Sequence, residues 1–152
     1  MRSVVIGVGN RDMGDDAIGP TIADGLAATA ASLPVDVRAV AHEGDLSLLP
    51  LMWSRHDRVV IVDAVLAGRP LWHLIEIDPD DLAVGPVVST HGLGVSEALA
   101  LADRLDRSPA RLDVLGVGVE QVSLGPMSPS LAARVPALVA EVLQRLGYGD
   151  AR

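Results

Sequence analysis

Three aspartates crowd the opening of this chain. Asp12, Asp15 and Asp16 lie within five residues, in the run Val8-Gly9-Asn10-Arg11-Asp12-Met13-Gly14-Asp15-Asp16. Gly7, Gly9 and Gly14 let the backbone turn tightly and approach a ligand. The loop is a poor match for phosphate. A dinucleotide fingerprint needs Gly-x-Gly-x-x-Gly, and its third glycine is Asp12 here; a P-loop needs Gly-Lys-Ser/Thr, where this chain has Gly14-Asp15-Asp16. Clustered carboxylates would repel a pyrophosphate unless a metal lay between them. They suit a cation or a polar substrate group better. Asp15, placed where a helix can begin, reads first as a cap.

Two more residues join Asp16 as site candidates. Asp63 breaks the aliphatic run Arg58-Val-Val-Ile-Val-Asp-Ala-Val65, and a carboxylate buried there needs a backbone amide, an arginine or a metal. His91 sits in Ser89-Thr90-His91-Gly92-Leu93-Gly94, a polar, glycine-flexible lead-in to a helix. Among the other histidines His42 is the reserve, with Glu43 and Asp45 beside it, while His56 and His73 read as structural or exposed. Two carboxylates and one imidazole would form a three-ligand site for a borderline divalent ion such as nickel or zinc. Asp16 and Asp63 also fit the logic of two carboxylates sharing a proton. Serine chemistry fares worse, because Gly94-Val95-Ser96-Glu97-Ala98 lacks the last glycine of a nucleophile elbow. No His-Glu-x-x-His helix is present.

The elements that must position these groups alternate. Strands are expected over residues 3–8, 35–42, 58–65, 71–77 and 112–119, the first and third being apolar enough for burial on both faces. Helices are expected over residues 19–32, with Ile18, Ile22, Leu26 and Ala30 on one face, and 45–56, capped by Asp45. Two more are expected from about 94 to 105, with Val95, Ala98, Leu99 and Ala102 buried, and 129–146, capped by Ser128. Alternation of this kind predicts a mostly parallel sheet covered on both sides. Open sheets of that type bind ligands at the C-terminal ends of their strands, where Asp16 and Asp63 would meet.

Composition narrows the chemistry. The length of 152 residues suits one domain spanning residues 1–152. There is no cysteine, so thiol nucleophiles and thiolate metal sites are excluded. All 12 basic residues are arginine, which removes a lysine Schiff base. A net charge of -8 and an aromatic content of 2% argue against nucleic-acid binding. No apolar run of ~20 residues and no cleavable leader are apparent, so a soluble, cytoplasmic protein with no membrane association is expected.

Taken together, Val5-Ile-Gly-Val-Gly-Asn-Arg-Asp-Met-Gly-Asp-Asp-Ala-Ile-Gly-Pro20, His42-Glu-Gly-Asp45, Val62-Asp-Ala64, Ser89-Thr-His-Gly-Leu-Gly94 and Leu115-Gly-Val117 resemble the nickel-iron hydrogenase maturation proteases. These are endopeptidases that remove a C-terminal extension from the hydrogenase large subunit. The likeness covers nearly the whole chain. It implies a three-layer α/β/α domain with a twisted five-stranded sheet, and a monomer that docks on the large-subunit precursor. It further implies that Asp16, Asp63 and His91 hold the metal, the first of these being commonly glutamate in the family. Nickel is expected to arrive with the substrate, and zinc or cadmium to fit the same ligands. Asp16 and Asp63 are the expected catalytic carboxylates. Competing readings are a non-catalytic, chaperone-like nickel-binding module, a nucleotide-binding domain, and a peptidase of different specificity on the same scaffold.

Overall fold

The computed structural model describes residues 1–29, 36–66, 70–83, 88–120 and 122–148. Its order is β1 (Ser3–Val8), α1 (Ile18–Ala28), β2 (Val37–His42), β3 (Arg58–Leu66), β4 (Leu74–Ile77), β5 (Val88–Ser89), α2 (Gly92–Arg104), β6 (Arg111–Val119) and α3 (Pro129–Arg145). Five strands run side by side as β2-β1-β3-β6-β4, and the two-residue β5 pairs with the end of β3. β1, β2, β3 and β6 are parallel, whereas β4 lies antiparallel on β6 and β5 antiparallel on β3. The expected five-stranded, mostly parallel sheet is therefore present, with β5 as an addition.

The period of two along each strand decides which layer each residue joins. Val5, Val60, Val62 and Leu115 pack with Ile18, Ile22 and Leu26 of α1 and with Leu138 and Val142 of α3. Val4, Ile6, Val59, Ile61 and Val114 pack on the other face with Val95, Ala98 and Ala102 of α2 and with Leu49 and Trp53. Asp63 shares the parity of Val59 and Ile61, so its side chain leaves β3 toward the α2 layer. That is the layer whose helix begins beside His91.

Local chemistry explains where the elements depart from the sequence expectations. The helix expected over residues 45–56 is a short 3-10 turn, Leu46–Leu51, with Pro50 inside it. Proline removes a backbone donor, which favours a short, tight turn over a continued α-helix. Asp45 does cap it, accepting from Ser47 N at 2.9 Å. β4 begins at Leu74, not Leu71, because Trp72 adopts a φ of 62° and breaks the extended chain. α1 ends at Ala28 with Thr29 at its C-cap, short of the expected end near residue 32, while Ala30 and Pro34 lie outside the described residues.

α1 sits close enough to β1 that two positions tolerate no side chain. A Cβ on Gly7 would lie 1.9 Å from the Gly19 carbonyl oxygen, and one on Gly19 would lie 2.3 Å from that of Val8. Both contacts are backbone, which cannot swing aside as a side chain can. Gly7→Ala is expected to destabilise the fold by roughly 1–3 kcal/mol or more, the usual cost of overpacking. Urea denaturation measures it, and an unchanged midpoint would contradict the close approach.

Candidate active site

β1 and β3 are adjacent and parallel, so the segments that follow Val8 and carry Asp63 open onto the same edge. Beyond β1 the chain makes a turn in which Asn10 Oδ1 accepts from Asp12 N at 2.9 Å. It then enters a 3-10 turn, Gly14–Ala17. Gly14 has a φ of 59°, in the left-handed region that favours glycine. The loop from Val122 to Ser128 braces this turn: Gly14 N donates to Gly125 O and Gly125 N to Asp12 O, each at 2.9 Å.

Asp15 completes the brace, and its role differs from the expected one. The 3-10 turn has Met13 at its N-cap, and Asp15 lies inside the turn. Its carboxylate instead accepts from Ser128 N at 2.8 Å and Ser128 Oγ at 2.9 Å. Ser128 holds the N-cap position of α3 without a side-chain capping bond, and its hydroxyl donates to Asp15. The two cap assignments made from local sequence thus resolve into one long-range contact. Asp12 is exposed and stands outside the site.

The next residue points inward. Asp16 is 3% exposed and Asp63 1% exposed. Asp16 Oδ2 accepts from Asn10 N at 2.8 Å, and its Oδ1 accepts from Thr90 Oγ1 at 2.7 Å. His91 Nε2 lies 3.0 Å from Oδ2 and 3.2 Å from Oδ1. Asp63 Oδ1 accepts from Ala64 N at 2.8 Å and lies 2.9 Å from Thr90 Oγ1, the alternative acceptor of the same hydroxyl proton, and its Oδ2 accepts from His91 N at 3.1 Å. One ligand atom from each of Asp16, Asp63 and His91 falls within 4.8 Å of the others, so the three could hold a metal ion.

Electrostatics make this a site prepared for positive charge. At 4.8 Å or less and an effective dielectric of about 20, two ionised carboxylates repel by at least roughly 3 kcal/mol. Burial pushes the Asp16 pKa up, but the hydrogen bonds from His91, Thr90 and the Asn10 amide, with the charge of His91, outweigh it and hold the pKa below its ordinary value. The His91 imidazole is raised, chiefly by its hydrogen bond to Asp16 and also by the charges of Asp63 and Asp16, against the lowering effect of burial. In the ion-free site the His91 imidazole, its pKa raised, sets Nε2 against the Asp16 carboxylate, where it would also face an ion. A metal would take Nε2 in competition with a proton.

The remaining candidates are elsewhere. His42 Nε2 lies 2.8 Å from Asp45 O, and His73 Nδ1 lies 3.4 Å from Arg134 Nη2. His56 is bonded through its backbone amide to Ser54 Oγ at 3.2 Å. Ser96 lies within α2, lining a cleft with Pro79, Leu99 and Ser108, and no imidazole lines that cleft. Sequence reasoning overlooked Thr90, whose hydroxyl touches both carboxylates, and the Asn10 amide. The sequence signal for Thr90 was its place directly before His91.

The linkage of this pair to stability has a definite sign. His91 is raised, so its contribution is fully present below its ordinary 6.5 and is lost as pH climbs through the folded value. Asp16 is lowered, so its contribution is present above 3.8 and is lost as pH falls through the folded value. With chelator present, His91→Gln should therefore cost most stability between these limits and progressively less on the alkaline side. Thermal unfolding of both proteins across pH tests this; a cost independent of pH would contradict the pairing.

Comparison with known proteins agrees with this architecture. A family model described as hydrogenase maturation protease matches residues 44–145. The Hydrogenase 3 maturation protease of Escherichia coli K12 is 32% identical over 118 residues, covering 77% of this chain and 72% of that protein. The hydrogenase maturating endopeptidase HybD of Escherichia coli superposes with a TM-score of 0.76 at 25% identity, covering 97% of this chain and 93% of that one. The [NiFe] hydrogenase maturation protease HybD of Thermococcus kodakarensis gives 0.73 at 25% identity, over 96% and 99%. Sequence and fold agree over the strands and helices that bring Asp63 and His91 together, and the chain belongs to the hydrogenase maturation protease family of peptidases.

Proposed function

We propose that this protein is the endopeptidase that removes the C-terminal extension of a nickel-iron hydrogenase large-subunit precursor once nickel has been inserted. The observation that carries the reading is the convergence of Asp16, Asp63 and His91 from three distant parts of the chain. Family membership supplies the reaction class, and the oxygen and nitrogen donor set suits a borderline divalent ion. Nickel is part of the substrate here, delivered by the precursor, and zinc or cadmium would fit the same donors.

Asp16, Asp63 and His91 would recognise the metal-loaded precursor and reject the empty one. His91 Nε2 would exchange Asp16 for the ion, which leaves Asp16 held by the Asn10 amide and the Thr90 hydroxyl. Hydrolysis needs a base for the attacking water and an acid for the departing amine. Asp16 and Asp63 are the carboxylates placed to share those roles, one accepting the water proton and passing it on to the new amino terminus. The protein is proposed to act as a cytoplasmic monomer. Among the described residues no helix is long and apolar enough to cross a membrane.

Intact-mass analysis of the large-subunit precursors from the same genome, each with and without nickel, tests the assignment. Loss of a C-terminal peptide from a nickel-loaded precursor only is the expected result. Asp16→Asn and Asp63→Asn should each slow cleavage by roughly 100-fold or more, the scale of a lost acid-base group. Nickel binding with no precursor cleaved would favour a chaperone-like nickel-binding module instead.

A further inference from the structure

We infer that Thr90 is a positioning residue: its hydroxyl holds the Asp16 and Asp63 carboxylates in register for the incoming ion. The inference rests on reading these carboxylates and His91 as the metal-recognising site. Thr90 Oγ1 lies 2.7 Å from Asp16 Oδ1, 2.9 Å from Asp63 Oδ1 and 3.3 Å from Ala64 O. A hydroxyl has one proton to donate and three acceptors around it. It donates to one oxygen at a time and can swing to the other without moving its own Cβ.

The geometry makes the hydroxyl a fixed point. Thr90 N donates to Ala64 O at 3.0 Å, and the next amide, His91 N, donates to Asp63 Oδ2 at 3.1 Å. Both bonds fasten the backbone of Thr90 to the end of β3. Its β-branch restricts rotation at χ1, so the hydroxyl direction is set before any ligand arrives. Asp16, by contrast, comes from a loop 74 residues away in sequence. Thr90 therefore sets one hydroxyl between a loop carboxylate and a strand carboxylate, donating to one and in contact with the other.

The arrangement matters most when the site changes occupancy. An ion that takes His91 Nε2 ends the contact of that atom with Asp16. The Asp16 carboxylate would then be free to rotate about its side-chain bonds, but for the Asn10 amide on Oδ2 and Thr90 on Oδ1. The single Thr90 proton can turn to whichever Oδ1 the ion draws on less. Groups that orient metal ligands in this way typically set affinity by about 10- to 100-fold.

Calorimetric titration of the ion-free protein with Ni2+ alone, and separately with Cd2+, tests the inference without any precursor. Thr90→Val keeps the shape and removes the hydroxyl; its Kd should rise about tenfold or more, and Thr90→Ser should restore most of the affinity. Thr90→Ala gives the same reading if the valine protein does not accumulate. With loaded precursor, KM should rise in Thr90→Val and return in Thr90→Ser, because the ion that these carboxylates grip is part of the precursor. An unchanged Kd in Thr90→Val, a serine variant as weak as valine, or a wild-type protein that binds neither ion would overturn the inference. Failure of the wild type to cleave loaded precursor, with these affinities as expected, would count against the proposed function alone.

Discussion

Two carboxylates buried against one another dominate the physics of this molecule. Left alone, Asp16 and Asp63 would repel, and each would lose the hydration that stabilises its charge. The protein answers with directed donors: the amides of Asn10, Ala64 and His91, the Thr90 hydroxyl and the His91 imidazole. Three of these are backbone groups, so the site depends on the path of the main chain as much as on side-chain identity. Among the described residues no buried side-chain polar atom lacks a partner. The site is thus satisfied without an ion, and the contact of His91 Nε2 with Asp16 is one that a bound ion would replace.

Holding the main chain on that path is the task of the sheet and of its bracing loop. Gly7 and Gly19 let α1 press on β1 with backbone against backbone, which fixes where the Gly14–Ala17 turn leaves the strand. On the far side, Asp15 grips Ser128 at the start of α3, and Gly125 exchanges hydrogen bonds with both Asp12 and Gly14. Neighbouring aspartates thereby face opposite ways. Asp15 secures the loop, and that frees Asp16 to serve the site.

β3 supplies the counterpart. Its parity sends Asp63 into the same layer as α2, and the first turn of that helix carries His91 at its N-cap position. The N-terminal end of a helix is electropositive, which favours the carboxylate that accepts the His91 amide. At the other end of α2, Arg107 donates to the carbonyls of Pro50 and Trp53, and Trp53 Nε1 returns a bond to Arg107 O at 2.7 Å. α2 is therefore tied down at both ends, and His91 meets Asp16 from a rigid support.

Much of this could be read from residue order. The aliphatic runs of β1 and β3 and the helical stripe Val95-Ala98-Ala102 are local patterns, because burial of one face imposes a period on the chain. Asp63 and His91 stood out because a carboxylate in a buried strand and an imidazole in a glycine-flexible loop both require a partner. Other features depended on partners distant in sequence. Asp15 looked like a cap since nothing nearby in sequence revealed Ser128, 113 residues away. Thr90 looked like any polar loop residue since the two carboxylates it touches, one in the Gly14–Ala17 turn and one near the end of β3, are distant in sequence. By itself the sequence determined which residues were unsuited to a plain core and which strands would carry them, because those are consequences of local polarity and period. Only the tertiary structure decided that Asp15 turns to Ser128 and that Thr90 stands between Asp16 and Asp63, because hydrogen-bond direction and distance are set by the paths of chain segments that are far apart until folding joins them.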